Sequence, residues 1–150
     1  MPTTPSAESL RRVDQLLAHY RLSHQHPTNA LIHVFAIPLI MLSLVGLIYA
    51  AHPLLAYGFI GASLVYYARL SWVFLLTMLV GSALVLAAVQ AMGEQRLVWC
   101  AGIFVVAWVF QFIGHRIEGR KPSFFEDLQY LWVGPLFVLS KLFAPLGIRW

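Results

Sequence analysis

Residues 31–50 read LIHVFAIPLIMLSLVGLIYA, a run from Leu31 to Ala50 without a formal charge. At a helical rise of about 1.5 Å per residue it is about 30 Å long, the thickness of a bilayer's hydrocarbon core. The rest of the chain is of the same kind. Its 150 residues are 60% hydrophobic and 11% charged, where soluble proteins run at roughly 45–50% and 25%. A soluble domain of this size needs far more polar surface, and a disordered chain far more charge. The composition leaves a multi-spanning membrane protein.

Upstream of this run, the segment from Ser23 to Asn29 breaks a helical pattern, and Pro27 suits the first turn of the next helix. Before the break, Leu10, Val13, Leu16, Leu17 and Tyr20 recur at helical spacing, with Arg11, Arg12, Asp14 and Gln15 opposite. This predicts an amphipathic helix over 9–22, either lying on the membrane surface or packed against the rest of the protein. Residues 1–8 are expected to fray. Residues 1–30 hold Glu8, Arg11, Arg12, Asp14 and Arg21 and no continuous apolar stretch, so no signal peptide is read there. The first apolar segment is expected to stay as an anchor.

Downstream, Pro38 is expected to kink the first span, and Ala51-His52-Pro53 to make a tight turn. Leu54–Ala68 and Leu70–Met92 read as the next two helices, with Arg69 snorkelling at the interface. A fourth runs from Leu97 to Gly114 and continues into the polar stretch His115 to Lys121. The apolar segment 128–143 is interrupted by Gly134-Pro135 and carries Lys141, which favours a broken or half-inserted helix over a fifth span. The expected fold is an all-α, multi-pass membrane helical bundle in one domain over 1–150. It has about four transmembrane helices within 30–115, and 116–150 forms a cytoplasmic-face and C-terminal segment.

With four spans, Arg11, Arg12, Arg21, Arg69, Arg116, Arg120 and Lys121 share one side, and Arg96 lies on the other. The positive-inside rule then puts both termini in the cytoplasm. An even number of crossings also brings His24, His26 and His33, at the start of the first span, to the same face as His115, at the end of the fourth. His52 falls on the opposite face.

Polar groups at membrane depth are costly and mark function. His33 lies one turn inside an apolar helix with Asn29 four residues before it, and His115 follows Gln111 at the same spacing. Three imidazoles on one face suggest a metal: iron, zinc or copper. His24, His33 and His115 would form a facial set with open positions, and Gln111, Asn29 or Glu118 would hold their outer nitrogens. His26, His19 and Glu118 are alternate ligands. A histidine near a helix end also sits commonly among headgroups and binds nothing, the more so for His19, His26 and His52. Arg116, Arg120 and Lys121 also serve as topology determinants, and Tyr20, Trp132 and Trp150 as interfacial aromatics.

Other chemistries find little. No phosphate-binding glycine loop or nucleophile elbow is present, and nothing suggests nucleic-acid recognition. The single Cys100 forms no intrachain disulfide and reads as packing. The histidines are too few for a multi-box di-iron desaturase. Two other readings stay open on the residues alone. One is a haem electron-transfer protein with His33 and His115 as axial ligands. The other is a non-enzymatic membrane scaffold or transporter with interfacial histidines.

The stretch Tyr20 to Pro38 resembles the signature Y-x3-H-x4-N-x3-H followed by I-P, and Gln111 to Pro122 resembles Q-F-x-G-H-x2-E-x-R-x-P. Together they resemble the small membrane 2-hydroxy fatty acid dioxygenases, whose founding fungal enzyme acts in the endoplasmic reticulum in phytosphingosine breakdown and which have many bacterial relatives. The resemblance spans about residues 16–145. Two positions depart from it: Ala36 stands where a glycine is expected before Ile-Pro, and Ser140 where an acidic residue is expected.

The resemblance implies an Fe(II)-dependent α-oxidation that turns a 2-hydroxy fatty acid and O2 into the fatty acid one carbon shorter and carbon dioxide. It implies His24, His33 and His115 on the iron. Arg120 or Lys121 would hold the substrate carboxylate, with Tyr20 and Asn29 as further substrate contacts, and Gln111 and Glu118 would support the histidines. The acyl tail would run between apolar helices or into the lipid bilayer. A homo-oligomer is compatible with all of this, and the chain suits a bacterial inner membrane better than the endoplasmic reticulum.

Overall fold

The computed structural model describes residues 11–119 and 130–150, and within them the chain is helical with no strand. The helices are α1 (Arg12–Arg21), α2 (Pro27–Ala51), α3 (Pro53–Ala68), α4 (Trp72–Ala91), α5 (Arg96–Glu118) and α6 (Val133–Phe143). Among the described residues, three helices are long and apolar enough to cross a membrane: α2, α4 and the segment Gly93–Glu118 that contains α5. Helix α3, at 16 residues, is about 24 Å long, short of the roughly 30 Å core. Leu84 is 66% exposed, Phe35 66% and Val98 74%. Large apolar side chains on outward faces at this density need lipid beside them. The chain is an all-α membrane protein.

Two His-Pro pairs start α2 and α3. In each, the histidine is the N-cap and the proline opens the helix, where its missing N–H costs nothing. His26 Nδ1 accepts from Thr28 N, and His52 Nδ1 accepts from Leu54 N, both at 3.2 Å. Helix α2 continues through Pro38 to Ala51. Helix α5 runs one turn beyond Gly114, the predicted end of its span, and stops at Gly119, whose φ of 75° is the left-handed conformation that closes helices. Polarity marks the edge of the membrane, and the helix outlasts it. Gly134 and Pro135 fall in the first turn of α6, so the interruption in the last apolar segment is where that helix begins.

Helices α2 and α5 form the central antiparallel pair. Ile40 packs with Trp108, and Gly46 faces Cys100. A Cβ on Gly46 would run into Cys100 Sγ and stand 3.3 Å from Val89 Cγ2, so only glycine lets the backbones approach this closely. Gly46→Ala is expected to destabilise the bundle by about 1–3 kcal/mol through overpacking. The measurement is the unfolding midpoint in detergent. Cys100→Ala in the same chain should restore most of the loss, and no rescue would refute the contact.

Helix α1 does not lie free on a membrane surface. Val13, Leu17 and Tyr20, on one face, are 0%, 2% and 6% exposed and share a core with Leu136 and Phe137 of α6. Its amphipathic pattern is satisfied by protein. The start of α6 is tied to α3 by Tyr67, whose hydroxyl donates to Trp132 O at 3.0 Å, and by Trp132 Nε1, which donates to Ser63 Oγ at 2.8 Å. Arg21 Nη2 reaches Ser140 Oγ at 3.5 Å, so Ser140 faces a guanidinium. Ala36 is buried within α2.

Candidate metal centre

His24, His33 and His115 meet at the end of the bundle where α1 ends, α2 begins and α5 finishes. They are 5%, 0% and 5% exposed. One ring nitrogen from each lies within 4.8 Å of the others, and among the described residues they are the group of potential ligands so placed. Ring centroids are 4.2 Å apart for His24 and His33, 4.9 Å for His33 and His115, and 5.5 Å for His24 and His115.

Local helix geometry orients two of these rings. His33 Nδ1 is 2.9 Å from Asn29 O, one turn earlier on α2, and His24 Nδ1 is 2.8 Å from Tyr20 O, the last turn of α1. A carbonyl oxygen only accepts, so each Nδ1 carries the proton and each neutral ring keeps its lone pair on Nε2. Fixing the tautomer through the outer nitrogen is how metal-binding histidines are prepared. The Tyr20 ring stacks on His24 at 4.2 Å and 5°. Phe137 of α6 packs on the same side, 5.4 Å from His24 and 5.1 Å from Tyr20.

The turn that carries His24 is held from across the bundle. Glu118, at the end of α5, accepts from Gln25 N at 2.9 Å, from His26 N at 2.9 Å and from Asn29 Nδ2 at 3.0 Å. Its negative charge sits at the start of α2, where the helix dipole favours an anion. Asn29 is fully buried, and its Oδ1 lies against Gly114, where any Cβ would collide with it. Gly114 therefore lets α5 bring His115 beside His33.

The residues singled out from sequence sort as follows. His24, His33 and His115 come together. His26 is exposed and spent on its cap, and His19 is exposed against Tyr130, with ring centroids 5.6 Å apart. Glu118 bonds the backbone rather than an imidazole. Asn29 is engaged by Glu118, behind the histidines. Tyr20 is a wall of the site. Gln111 is 5% exposed, and its Oε1 is buried with no hydrogen-bond partner among the described residues. With the outer nitrogens of His24 and His33 on carbonyls, Gln111 does not hold those rings. Arg120 and Lys121 lie outside the described residues. Sequence reasoning missed Phe137, whose apolar helix carries no mark that sets it apart, and the purpose of Gly114, which the second motif contains.

The donor set fits a small cation. Three buried imidazoles, two of them with the lone pair on Nε2 and walled on one side by aromatic rings, suit a divalent transition metal. A haem between His33 and His115 does not fit. Their rings are already in contact, and the adjoining cavity is only about 30 Å³.

Comparison with known proteins gives one consistent result. A family model described as Mpo1-like, 2-hydroxy-palmitic acid dioxygenase, matches residues 10–145. The 2-hydroxy-palmitic acid dioxygenase MPO1 of Saccharomyces cerevisiae is 29% identical over 150 aligned residues, covering 93% of this chain and 84% of the relative. No solved structure matches.

Proposed function

The chain belongs to the Mpo1-like family, and from that membership and the three-histidine site we propose that it is an iron(II)-dependent 2-hydroxy fatty acid dioxygenase of the membrane. The observation that carries the iron is the cluster of His24, His33 and His115, with two outer nitrogens fixed on carbonyls. The reaction balances without an external reductant. R–CH(OH)–COOH and O2 give R–COOH, CO2 and H2O, so the substrate supplies all four electrons. His24, His33 and His115 would hold iron(II), which would supply oxygen activation.

The protein's own groups do the rest. Tyr20 and Phe137 wall the histidines and exclude water from one side. The Gln111 amide, buried one turn below His115, offers a partner to the substrate's 2-hydroxyl. Arg120 or Lys121 takes the carboxylate. Arg12, Arg21 and Arg116 at that end support, by the positive-inside rule, a site at the cytoplasmic surface of the bilayer. Arg96 sits over Tyr49 at the other end, 5.2 Å from its ring centre. An amphiphile then reaches the site with its head in water and its tail in lipid.

The test is elemental analysis of the detergent-purified protein after anaerobic Fe(II) loading, beside an assay of 2-hydroxypalmitate and oxygen consumption. We expect about one iron per chain, no haem spectrum, and consumption of acid and oxygen in equal amounts. Protein that retains no iron and consumes no 2-hydroxy acid would refute the proposal.

A further inference from the structure

Two cavities lie in line below the histidines. The first, about 30 Å³, is lined by Tyr20, Ile37, Met41, Trp108, Gln111 and Gly134 among others. Three of these are one turn from a site histidine: Tyr20 from His24, Ile37 from His33 and Gln111 from His115. On α2 and α5 that turn points toward the membrane interior, so this cavity lies one helical turn below the histidines. The second, about 170 Å³, lies between α2, α3, α4 and α6, and Ile37 and Met41 line it too. The two cavities therefore share the side chains of Ile37 and Met41 as walls.

The larger cavity is apolar. Its walls include Val45, Ile60, Met78, Val85, Val138 and Leu139. Ser63 also lines it, but its hydroxyl donates to Phe59 O at 2.8 Å and accepts from Trp132 Nε1, so it offers little to a polar guest. An apolar cavity of about 150 Å³ accepts benzene and stays dry. The volume here matches about six carbons of a chain by the same measure. Its α4 wall, at Met78, Gly81, Ser82 and Val85, is half-buried.

We infer that this cavity receives the acyl tail of the substrate, which passes from the histidines through the small cavity and between Ile37 and Met41. The inference rests on the proposed 2-hydroxy fatty acid reading. The small cavity has about the volume of one water. Passage of the chain therefore requires Met41 to swing aside, which its unbranched, flexible thioether permits. With room for about six carbons, the cavity holds the middle of a long chain and leaves the end to the bilayer.

Gly81 gives a clean probe. It lines the cavity, and a Cβ built on it meets nothing within 4 Å. Gly81→Phe fills the space without a clash at Cβ and improves helix propensity. We expect it to lower kcat/KM for 2-hydroxypalmitate relative to 2-hydroxyoctanoate by about tenfold, the effect of losing roughly two buried methylenes, with iron content unchanged. An unchanged chain-length profile overturns the inference.

A second measurement does not depend on turnover. The full-length protein in nanodiscs is photolysed with 2-hydroxypalmitate carrying a diazirine at mid-chain, and the adducts are mapped by mass spectrometry. Adducts on Met41, Met78 or Val138 that unlabelled 2-hydroxypalmitate competes away support the inference. Adducts confined to lipid-facing residues such as Leu76 and Leu84, or insensitive to competition, overturn it. Competed cavity adducts in a protein without turnover would sink the dioxygenase reading and leave the acyl site standing. Turnover with adducts only on the outer face would do the reverse.

Discussion

His33→Ala is expected to lose metal and turnover together. The side chain is fully buried, its outer nitrogen is 2.9 Å from Asn29 O, and it stands in the middle of the cluster, within 5 Å of both other rings by centroid. Its removal leaves two imidazoles, and a two-nitrogen site without a carboxylate is a poor match for iron(II). The loss of affinity should exceed the roughly 10–100-fold that follows from losing an outer partner of a ligand. His24→Ala and His115→Ala should behave alike. His26→Ala is the contrast, although it lies two residues from His24. It removes a helix cap, so the expected cost is about 1 kcal/mol of stability, with iron retained. Iron content by elemental analysis, measured beside the detergent melting curve, separates the two. A stoichiometric metal in His33→Ala would sink the three-histidine site.

Much of this arrangement is legible in the sequence, and the reason is periodicity. The uncharged run of α2, the His-Pro starts and the apolar lengths of α4 and α5 are local features, and the expected even count of crossings brought His24, His33 and His115 to one face, the three that the structure gathers at one end of the bundle. The same local signals do not tell a helix docked on protein from one docked on lipid, because both bury one apolar face. Val13 and Leu17 of α1 could therefore be resolved only by the structure, where they pack against α6. Glu118 was harder still. Its partners are backbone N–H groups more than ninety positions earlier in the chain, and a backbone donor leaves no mark on residue identity. Gly114 is legible as a motif position, yet its reason is the Asn29 oxygen on another helix.

Glu118→Ala is expected to weaken metal binding by about 10–100-fold without removing a ligand. The carboxylate gathers Gln25 N, His26 N and Asn29 Nδ2, and so fixes the turn bearing His24 and the start of the helix bearing His33 onto the end of the helix bearing His115. Without it, two N–H groups before α2 turn to water, and the buried Asn29 amide loses its strongest partner. The three rings then spend part of their time out of register, and a metal must draw them together at the cost of its own affinity. Glu118→Gln distinguishes this role from direct ligation. The amide keeps the shape and one acceptor oxygen, so it should retain more affinity than alanine, while losing the charge that favours the start of α2. If Glu118 were instead a fourth ligand, glutamine, a weak donor to iron, should lose the metal about as fully as His33→Ala. Titration of Fe(II) into metal-free wild type, Glu118→Gln and Glu118→Ala orders the three affinities. Glutamine falling between the other two supports a clamp, and glutamine matching His33→Ala rejects it.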